Sequence, residues 1–157
     1  MGKRAKTEYT HELNAPPEVV FPLLCPVREY EWLEGWTCEM IFSESGVAEE
    51  NCVFRTKRAP AGLSTWYTTR HEPPARIEFV VVAADVVTRL SITLERTAHG
   101  TKLHWVRLFT GLTDEGNANV GWWTVEKDRA LGEQLEYFVK TGTILQAPHL
   151  STFRPAR

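Results

Sequence analysis

The sequence has little of the chemistry that marks disulfide-rich, metal-binding or nucleotide-binding proteins. Its three cysteines, Cys25, Cys38 and Cys52, are an odd number without C-x-x-C spacing, which argues against a disulfide framework or a zinc ribbon. The five histidines show neither H-E-x-x-H nor His-x-His spacing, and there is no phosphate-binding loop or dinucleotide fingerprint. We therefore expect neither a metal nor a cofactor.

Strong net charge and long apolar runs are also lacking. The 18 Lys and Arg residues against 20 Asp and Glu residues leave a net charge of −2, which predicts no nucleic acid partner. No stretch approaches the roughly 18 apolar residues of a membrane span, and the basic residues 1–6 are not followed by the apolar segment of an export signal. We expect no membrane insertion and, with so few cysteines, a reducing cytoplasmic location.

What the chain does have is aromatic residues, which make up 11% of it and include 6 Trp. A chain of 157 residues is by default one domain, long enough for a sizeable core. We expect a single domain over residues 1–157, with its core at 6–142 and a tail at 143–157. The aromatic rings must serve a core, a cavity or an interface.

The hydrophobic pattern predicts one strand, two short helices, a run of strands and one long helix. Residues 6–13 alternate as a half-buried strand does. A Pro pair then suits a helix start that ends near Pro26, and 27–33 predicts a further helical turn or two. Strands are predicted over 36–42, 51–57, 63–71, 76–84, 86–97 and 101–113. Residues 118–141, followed by Gly142, predict the longest helix.

This order is not a βαβ repeat but an α+β architecture. The opening HELNAPPEVVFPLL, the following EYEWLEGW and the GT-x-LHW hairpin before a long terminal helix resemble the START-like superfamily. That superfamily includes the major birch-pollen allergen, polyketide cyclases and aromatases, and lipid-transfer domains. The resemblance implies a helix-grip fold, in which a curved antiparallel sheet of about seven strands surrounds the C-terminal helix and leaves a cavity for an apolar ligand.

Apolar residues on the elements that would face this cavity are the candidate walls. Such pockets are lined mostly by apolar and aromatic side chains, although a closed core uses the same residue types. Trp66 and Trp105 lie on strands of undetermined facing, and Trp122 lies off the helix stripe. The candidate ligand-binding residues are Trp36, Cys38, Met40, Phe42, Phe54, Leu90, Ile92, Leu94, Trp123, Leu131 and Leu135.

Four polar residues are candidates for acid, base or orienting roles. Asp128 lies near the apolar stripe of the long helix, where it needs a cation such as Arg107, unless it turns to the helix edge and meets water. Tyr67 and His71 share a face of a predicted strand and would form a polar cluster. His104 and Arg107 lie on opposite faces, so at most one points inward.

Three functions stay open. The first is binding of a hydrophobic or aromatic small molecule, lipid-like or polyketide-like, in the cavity. The second is an enzyme of the polyketide cyclase, aromatase or dehydratase kind, with Tyr67, His71, Arg107 and Asp128 as candidates. The third is a protein-interaction module with Trp122 or Trp66 exposed as an anchor. A homodimer through surface aromatic residues is also possible.

Overall fold

The computed structural model describes residues 1–58 and 61–146 and places a curved sheet around one long helix. Short 3-10 turns occupy Phe21–Leu24 and Glu29–Glu31. The helices are α1 (Pro17–Val20), α2 (Asp114–Asn119) and α3 (Val125–Thr141). The strands are β1 (Arg4–Leu13), β2 (Glu39–Phe42), β3 (Val53–Arg58), β4 (Gly62–Glu72), β5 (Arg76–Val82), β6 (Val86–Arg96) and β7 (Thr101–Gly111).

The seven strands form one antiparallel sheet in the order β1-β7-β6-β5-β4-β3-β2. Strands β2 to β7 follow one another as the predicted meander, and β1 pairs with β7, with Tyr9 opposite Trp105. In β6 the buried Leu90 and Ile92 alternate with the exposed or half-buried Arg89 and Ser91, so the sheet has an inner, apolar face. The α+β order predicted from the sequence is confirmed.

The strand predicted over 36–42 is shorter than expected, and the apolar side chains predicted to share one of its faces do not all point the same way. Tyr30 bonds the backbone of Cys38 through its hydroxyl, which accepts from N–H and donates to C=O, so this segment is held by a side chain before β2 begins. The pairing of β2 with β3 shifts register between Met40 and Phe42. Because such an irregularity turns the following side chain to the other face, Phe42 is 57% exposed and the prediction that it lines the interior is wrong.

A second irregularity separates Tyr67 from His71 in β4. The pairing of β4 with β5 shifts between Thr68 and Arg70, which adds one residue to β4. Tyr67 therefore faces outward and is 42% exposed, whereas His71 faces inward and lies edge-on to Phe21, with ring centroids 5.3 Å apart. The prediction that Tyr67 and His71 share a face is wrong.

The helix predicted over 118–141 is two helices with a break. Thr113 caps α2 by accepting a hydrogen bond from the N–H of Gly116, and α3 starts after Thr124, which has an extended backbone. The intervening residues 120–124 include Trp123, which leaves the helix direction and is 4% exposed. Trp123 is thus buried as predicted, but from a loop and not from the helix stripe.

The middle of α3 packs closely on β1. An added Cβ at Gly132 would lie 2.6 Å from Nδ1 of His11, so the glycine lets the helix approach the strand. Gly142, with φ 71°, ends α3 in the left-handed conformation expected from its position. Of the predicted tail at 143–157, residues 147–157 lie outside the part of the chain that the structure describes.

Candidate functional site

Two adjacent pockets lie between the inner face of the sheet and the helical elements. The outer pocket has a volume of about 80 Å³ and is bounded by Trp122 and Trp123 of the loop before α3. The inner pocket has a volume of about 40 Å³ and reaches from Leu131 of α3 to the 3-10 turn that contains Glu29. Trp66 and Arg107 are walls of both. The two pockets are therefore adjacent, and together they are called the cavity.

All six tryptophans of the chain line this cavity. Trp66, Trp122 and Trp123 line the outer pocket, and Trp32, Trp36, Trp66 and Trp105 line the inner pocket. Trp66 is stacked on Phe54 with ring centroids 5.2 Å apart and donates its indole N–H to Thr56 Oγ1 at 2.9 Å. Since aromatic pairs in such geometries stabilise one another, the dividing wall is ordered. The aromatic excess in the composition therefore belongs to the cavity.

A buried ion pair crosses from β7 to α3 at the cavity. Arg107 Nε donates to Asp128 Oδ1 at 2.8 Å, and the guanidinium carbon lies 4.4 Å from the ring centroid of Trp123. Asp128, which is 0% exposed, also accepts from Trp123 Nε1 at 2.9 Å and from Thr7 Oγ1 at 3.2 Å. This set of donors compensates the desolvation of the carboxylate, so Asp128 fixes the position of Arg107.

A second buried arginine and a buried carboxyl group complete the polar part of the cavity. Arg58 is 7% exposed, and its guanidinium carbon lies 3.9 Å from the ring centroid of Trp36. Burial lowers the pKa of Arg58 to about 10. Glu29 faces the inner pocket, where burial raises its pKa to about 8 although the charges of Arg58 and Arg107 oppose that rise. The cavity therefore combines two cations with an acid that is mostly protonated near neutral pH.

Of the four polar candidates, the structure brings two together. Arg107 and Asp128 form the ion pair, and the alternative in which Asp128 turns to the helix edge is wrong. His71 lies in a separate apolar groove beside Phe21, where burial lowers its pKa against the charges of nearby glutamates. Tyr67 donates from its hydroxyl to Asn51 Oδ1 at 2.8 Å on the outer face. Neither lines the two pockets in the described part of the chain.

The apolar candidates fall into three groups. Leu94 and Leu135 are buried in the core and, among the described residues, are not part of the pocket lining. Cys38 and Met40 are half-buried beside that core, and Phe42 is exposed. The remaining candidates line the cavity: Trp36, Phe54, Leu90, Ile92, Trp123 and Leu131.

Sequence reasoning missed Glu29 and Arg58. For Arg58 a signal existed, because period-two alternation from Phe54 through Thr56 places residue 58 on the same face, but the predicted strand ended one residue earlier. For Glu29 the sequence carries no such signal. A short turn has no repeating pattern of apolar residues, so the sequence does not show which way the Glu29 side chain points.

No metal site is evident in residues 1–58 and 61–146, where no group of three or more His, Cys, Asp or Glu side chains is placed to hold a metal ion. Within the same described segments, no helix is long and apolar enough to cross a membrane.

Solved structures share this architecture at low sequence identity. A Mesorhizobium loti protein matches with a TM-score of 0.68 and 18% identity over 87% of this chain and 97% of its own. Ara h 8.0201 matches with a TM-score of 0.63 and 13% identity over 88% and 99%. A protein of the dynemicin biosynthetic locus matches with a TM-score of 0.58 and 18% identity over 89% and 48%. These matches show the fold, which is the helix-grip fold.

Comparison with curated proteins found no match. The profile of the family described as polyketide cyclase / dehydrase and lipid transport matches residues 4–138, which include every strand, both pockets and most of α3. The chain therefore belongs to the polyketide cyclase / dehydrase and lipid transport family, within the START-like superfamily that its sequence resembles.

Proposed function

We propose that the protein binds a hydrophobic or aromatic small molecule, lipid-like or polyketide-like, in the cavity between the sheet and α3. The observation that carries this proposal is the convergence of all six tryptophans on the two pockets. Rings used only to fill a core leave no space between them, whereas these rings border two pockets. Membership of a family named in part for lipid transport supports the same function.

Binding requires movement of the dividing wall. Pockets of about 80 and 40 Å³ are small beside the roughly 300–1,000 Å³ of sites for drug-sized ligands. Trp66 and Arg107 are the walls that the two pockets share, and we expect rotation of the Trp66 side chain to join the two volumes. We therefore expect ligand binding to change the fluorescence of Trp66 and to break its hydrogen bond to Thr56.

A fluorescent neutral probe tests the proposal. N-phenylnaphthylamine should bind saturably, and Thr88→Phe, which fills the outer pocket, should weaken binding at least about tenfold. Val87→Phe adds the same ring to the neighbouring position of β6 on the other face and should leave binding unchanged. Equal affinity of wild type and Thr88→Phe would place the probe elsewhere. Native mass spectrometry of protein from its own host should show a retained molecule, which the probe displaces.

A second candidate function is acid-base catalysis on a ligand in this cavity, as in a cyclase or dehydratase. The observation that favours it is Glu29, whose pKa is raised to about 8 by burial in the inner pocket. A carboxyl group with a pKa near the working pH is suited to donate and accept protons. Arg58 and Arg107, whose charges act on Glu29, would stabilise negative charge that develops on a carbonyl oxygen.

A linear triketone that cyclises to a pyrone with loss of water tests this function. Wild type should accelerate the reaction, and Glu29→Gln should lower the rate about a hundredfold. Glu31→Gln, in the same turn but paired with Arg28 on the surface, should keep the full rate. If wild type does not accelerate the cyclisation beyond its rate in buffer, this catalytic function is excluded and ligand binding remains the proposed function.

The remaining predictions are not favoured by the site. Trp66 and Trp122 are half-buried and line the outer pocket. The prediction that one of them is an exposed anchor for a partner protein is therefore wrong. The three cysteines are free, as a reducing cytoplasmic location requires. That location and the homodimer stay predictions.

A further inference from the structure

Two hydroxyl groups lie side by side on the sheet wall of the outer pocket. Thr56 of β3 and Ser64 of β4 are directly opposite each other in the strand pairing, and both side chains line the pocket. Each residue is only 5% exposed. Residues paired in this way have Cβ atoms about 4.5–5.5 Å apart, so one ligand atom between them can contact both hydroxyls.

The two hydroxyls differ in the partners that the protein gives them. Thr56 Oγ1 accepts a hydrogen bond from Trp66 Nε1 at 2.9 Å. Within residues 1–58 and 61–146, the Ser64 hydroxyl has no hydrogen-bond partner, although the residue is almost completely buried. Buried polar groups nearly always have a partner. A buried hydroxyl that lacks one and lines a pocket is therefore placed to bond to what fills the pocket.

The movement that joins the two pockets also exposes the Thr56 hydroxyl to the ligand. Rotation of Trp66, which we expect on ligand binding, moves its indole N–H away from Thr56 Oγ1. A hydrocarbon in the enlarged cavity offers Thr56 no replacement, so its binding loses one buried hydrogen bond. A ligand hydroxyl restores this bond, because it donates to Thr56 Oγ1 where the indole did and accepts from Ser64 at the same time.

We propose that Thr56 and Ser64 bind a hydroxyl group on a ring of the ligand, which enters the outer pocket with that end. This inference rests on the proposed function and names one polar group of its ligand together with the two residues that select it. Around the hydroxyl pair the pocket is apolar, with Val81, Val86 and Phe109 among its walls. A small number of polar groups in an apolar pocket fixes the orientation of a ligand.

The test compares two probes of nearly the same shape, 2-naphthol and 2-methylnaphthalene, in which a methyl group replaces the hydroxyl. Calorimetry at pH 7 and displacement of N-phenylnaphthylamine give both dissociation constants for wild type and each variant. Ser64→Ala should weaken the binding of 2-naphthol about three- to tenfold, the contribution of one hydrogen bond. The same variant should leave the binding of 2-methylnaphthalene unchanged.

Thr56→Val should reduce the preference for 2-naphthol through the other probe. Valine has nearly the shape of threonine but cannot accept from the indole of Trp66, so the ring rotates without loss of a hydrogen bond. We expect 2-methylnaphthalene to bind about three- to tenfold more tightly to this variant. For 2-naphthol the lost internal bond and the lost bond to the ligand offset each other, so its constant should stay near that of wild type.

Two further variants are controls. Thr56→Ser keeps the hydroxyl and should keep the wild-type preference between the probes. Thr65→Val removes a hydroxyl between Ser64 and Trp66 in β4, on the opposite face of the sheet, and should change neither constant.

The outcomes separate this inference from the proposed function. If both probes bind and neither Ser64→Ala nor Thr56→Val changes the preference between them, the hydroxyl site is wrong and the binding function remains. Equal weakening of both probes would also overturn the hydroxyl site, because a general disturbance of the pocket does not distinguish the probes. Saturable binding of neither probe nor of N-phenylnaphthylamine would overturn both proposals. Unfolding curves show whether each variant is folded, and Ser64→Ala alone decides the outcome should Thr56→Val fail to fold.

Discussion

At the scale of single residues, the cavity depends on how buried charges are compensated. Asp128 accepts hydrogen bonds from Thr7, Trp123 and Arg107, so it joins β1, the loop before α3 and β7. In the part of the chain that the structure describes, Glu29 has no such set of donors, and burial raises its pKa to about 8. The two acids therefore differ in their surroundings: hydrogen bonds compensate the charge of Asp128, whereas burial raises the pKa of Glu29.

Removal of Asp128 should be more damaging than removal of the whole ion pair. Asp128→Ala leaves the buried Arg107 uncompensated and should lower the free energy of unfolding by about 3–5 kcal/mol. The double variant Arg107→Met/Asp128→Leu, which fills the same space without charge, should lose less than Asp128→Ala alone. Urea unfolding of Arg107→Met, Asp128→Leu and the double variant measures the cycle, and losses that simply add would contradict a coupled pair.

Glu29 should make stability depend on pH. As the pH rises from 4.5, the ordinary pKa, toward about 8, the raised pKa, the unfolded chain releases this proton while the folded protein keeps it. The free energy of unfolding therefore falls across this window. Glu29→Gln does not titrate, so its stability relative to wild type should rise steadily between about pH 5 and pH 8 in urea unfolding.

Glu31→Gln is the matched control for this pH dependence. Its hydrogen bond with Arg28 lowers the pKa of Glu31, so Glu31 is already ionised in both states above about pH 5. The stability difference between Glu31→Gln and wild type should stay constant over the window. A constant difference for Glu29→Gln as well would show that Glu29 titrates normally.

At the scale of elements, the close approach of α3 to β1 determines how the helix sits over the cavity. Gly132 faces His11, whose ring is held from both sides: Nδ1 contacts the hydroxyl of Tyr9 at 2.8 Å, and Nε2 contacts Glu136 at 3.2 Å. The imidazole therefore has little freedom to move away from the helix. The contact fixes the helix in position along the strand.

Gly132→Ala should destabilise the protein despite the better helix propensity of alanine. The new methyl group would lie 2.6 Å from the His11 ring, and overpacking of this kind costs about 1–3 kcal/mol. The gain in helix propensity is about 1 kcal/mol. Thermal unfolding should show a lower Tm for Gly132→Ala, and the further change His11→Ala should recover part of the loss. A Tm at or above that of wild type would show that the helix can move away from β1.

At the scale of the whole molecule, Trp122 lies between the outer pocket and a second pocket at the surface. This half-buried ring lines both pockets, which also share Ala61, Ala83 and Val86. Lys127 donates to the backbone oxygen of Trp122 and lies 5.2 Å from the centroid of its ring. Lys127 therefore holds the Trp122 ring between the two pockets.

Trp122→Ala should change the rates of ligand exchange more than the affinity. Loss of the ring opens the path from the surface pocket, so both association and dissociation of N-phenylnaphthylamine should become several times faster in stopped-flow fluorescence. Tyr137→Ala removes an exposed ring of α3 and should change neither rate. An effect of Trp122→Ala on dissociation alone would mean that the ring binds the probe and does not block the path.

The order of elements could be read from the sequence because burial of one sheet face imposes period two. Leu90 and Ile92 show that period without interruption. The predicted facing of side chains is wrong where one extra residue breaks the period, as at Phe42 and between Tyr67 and His71. Such irregularities depend on pairing with a distant strand, which local spacing does not encode.

The candidate site was only partly predictable for the same reason. Arg107 and Asp128 could be named as partners because each lies on a regular element, although the sequence left open which face of the strand points inward. The break before α3 coincides with residues of low helix propensity, Gly121 among them, but their spacing does not show that Trp123 turns to donate to the Asp128 carboxylate. Arg58 continues the period of β3 one residue beyond the predicted strand, whereas Glu29 joins the site through tertiary packing alone.

The break between α2 and α3 separates the shape of the pocket from the packing of the helix. Leu131 and Leu135 anchor α3 in the core, whereas Trp122 and Trp123 bound the outer pocket from a short loop. Substitutions in that loop can therefore change the shape of the outer pocket while α3 keeps its packing against the core. Related proteins with this fold could therefore differ in ligand preference through substitutions in this loop alone. In an unbroken helix, the same substitutions would also alter the packing of the helix.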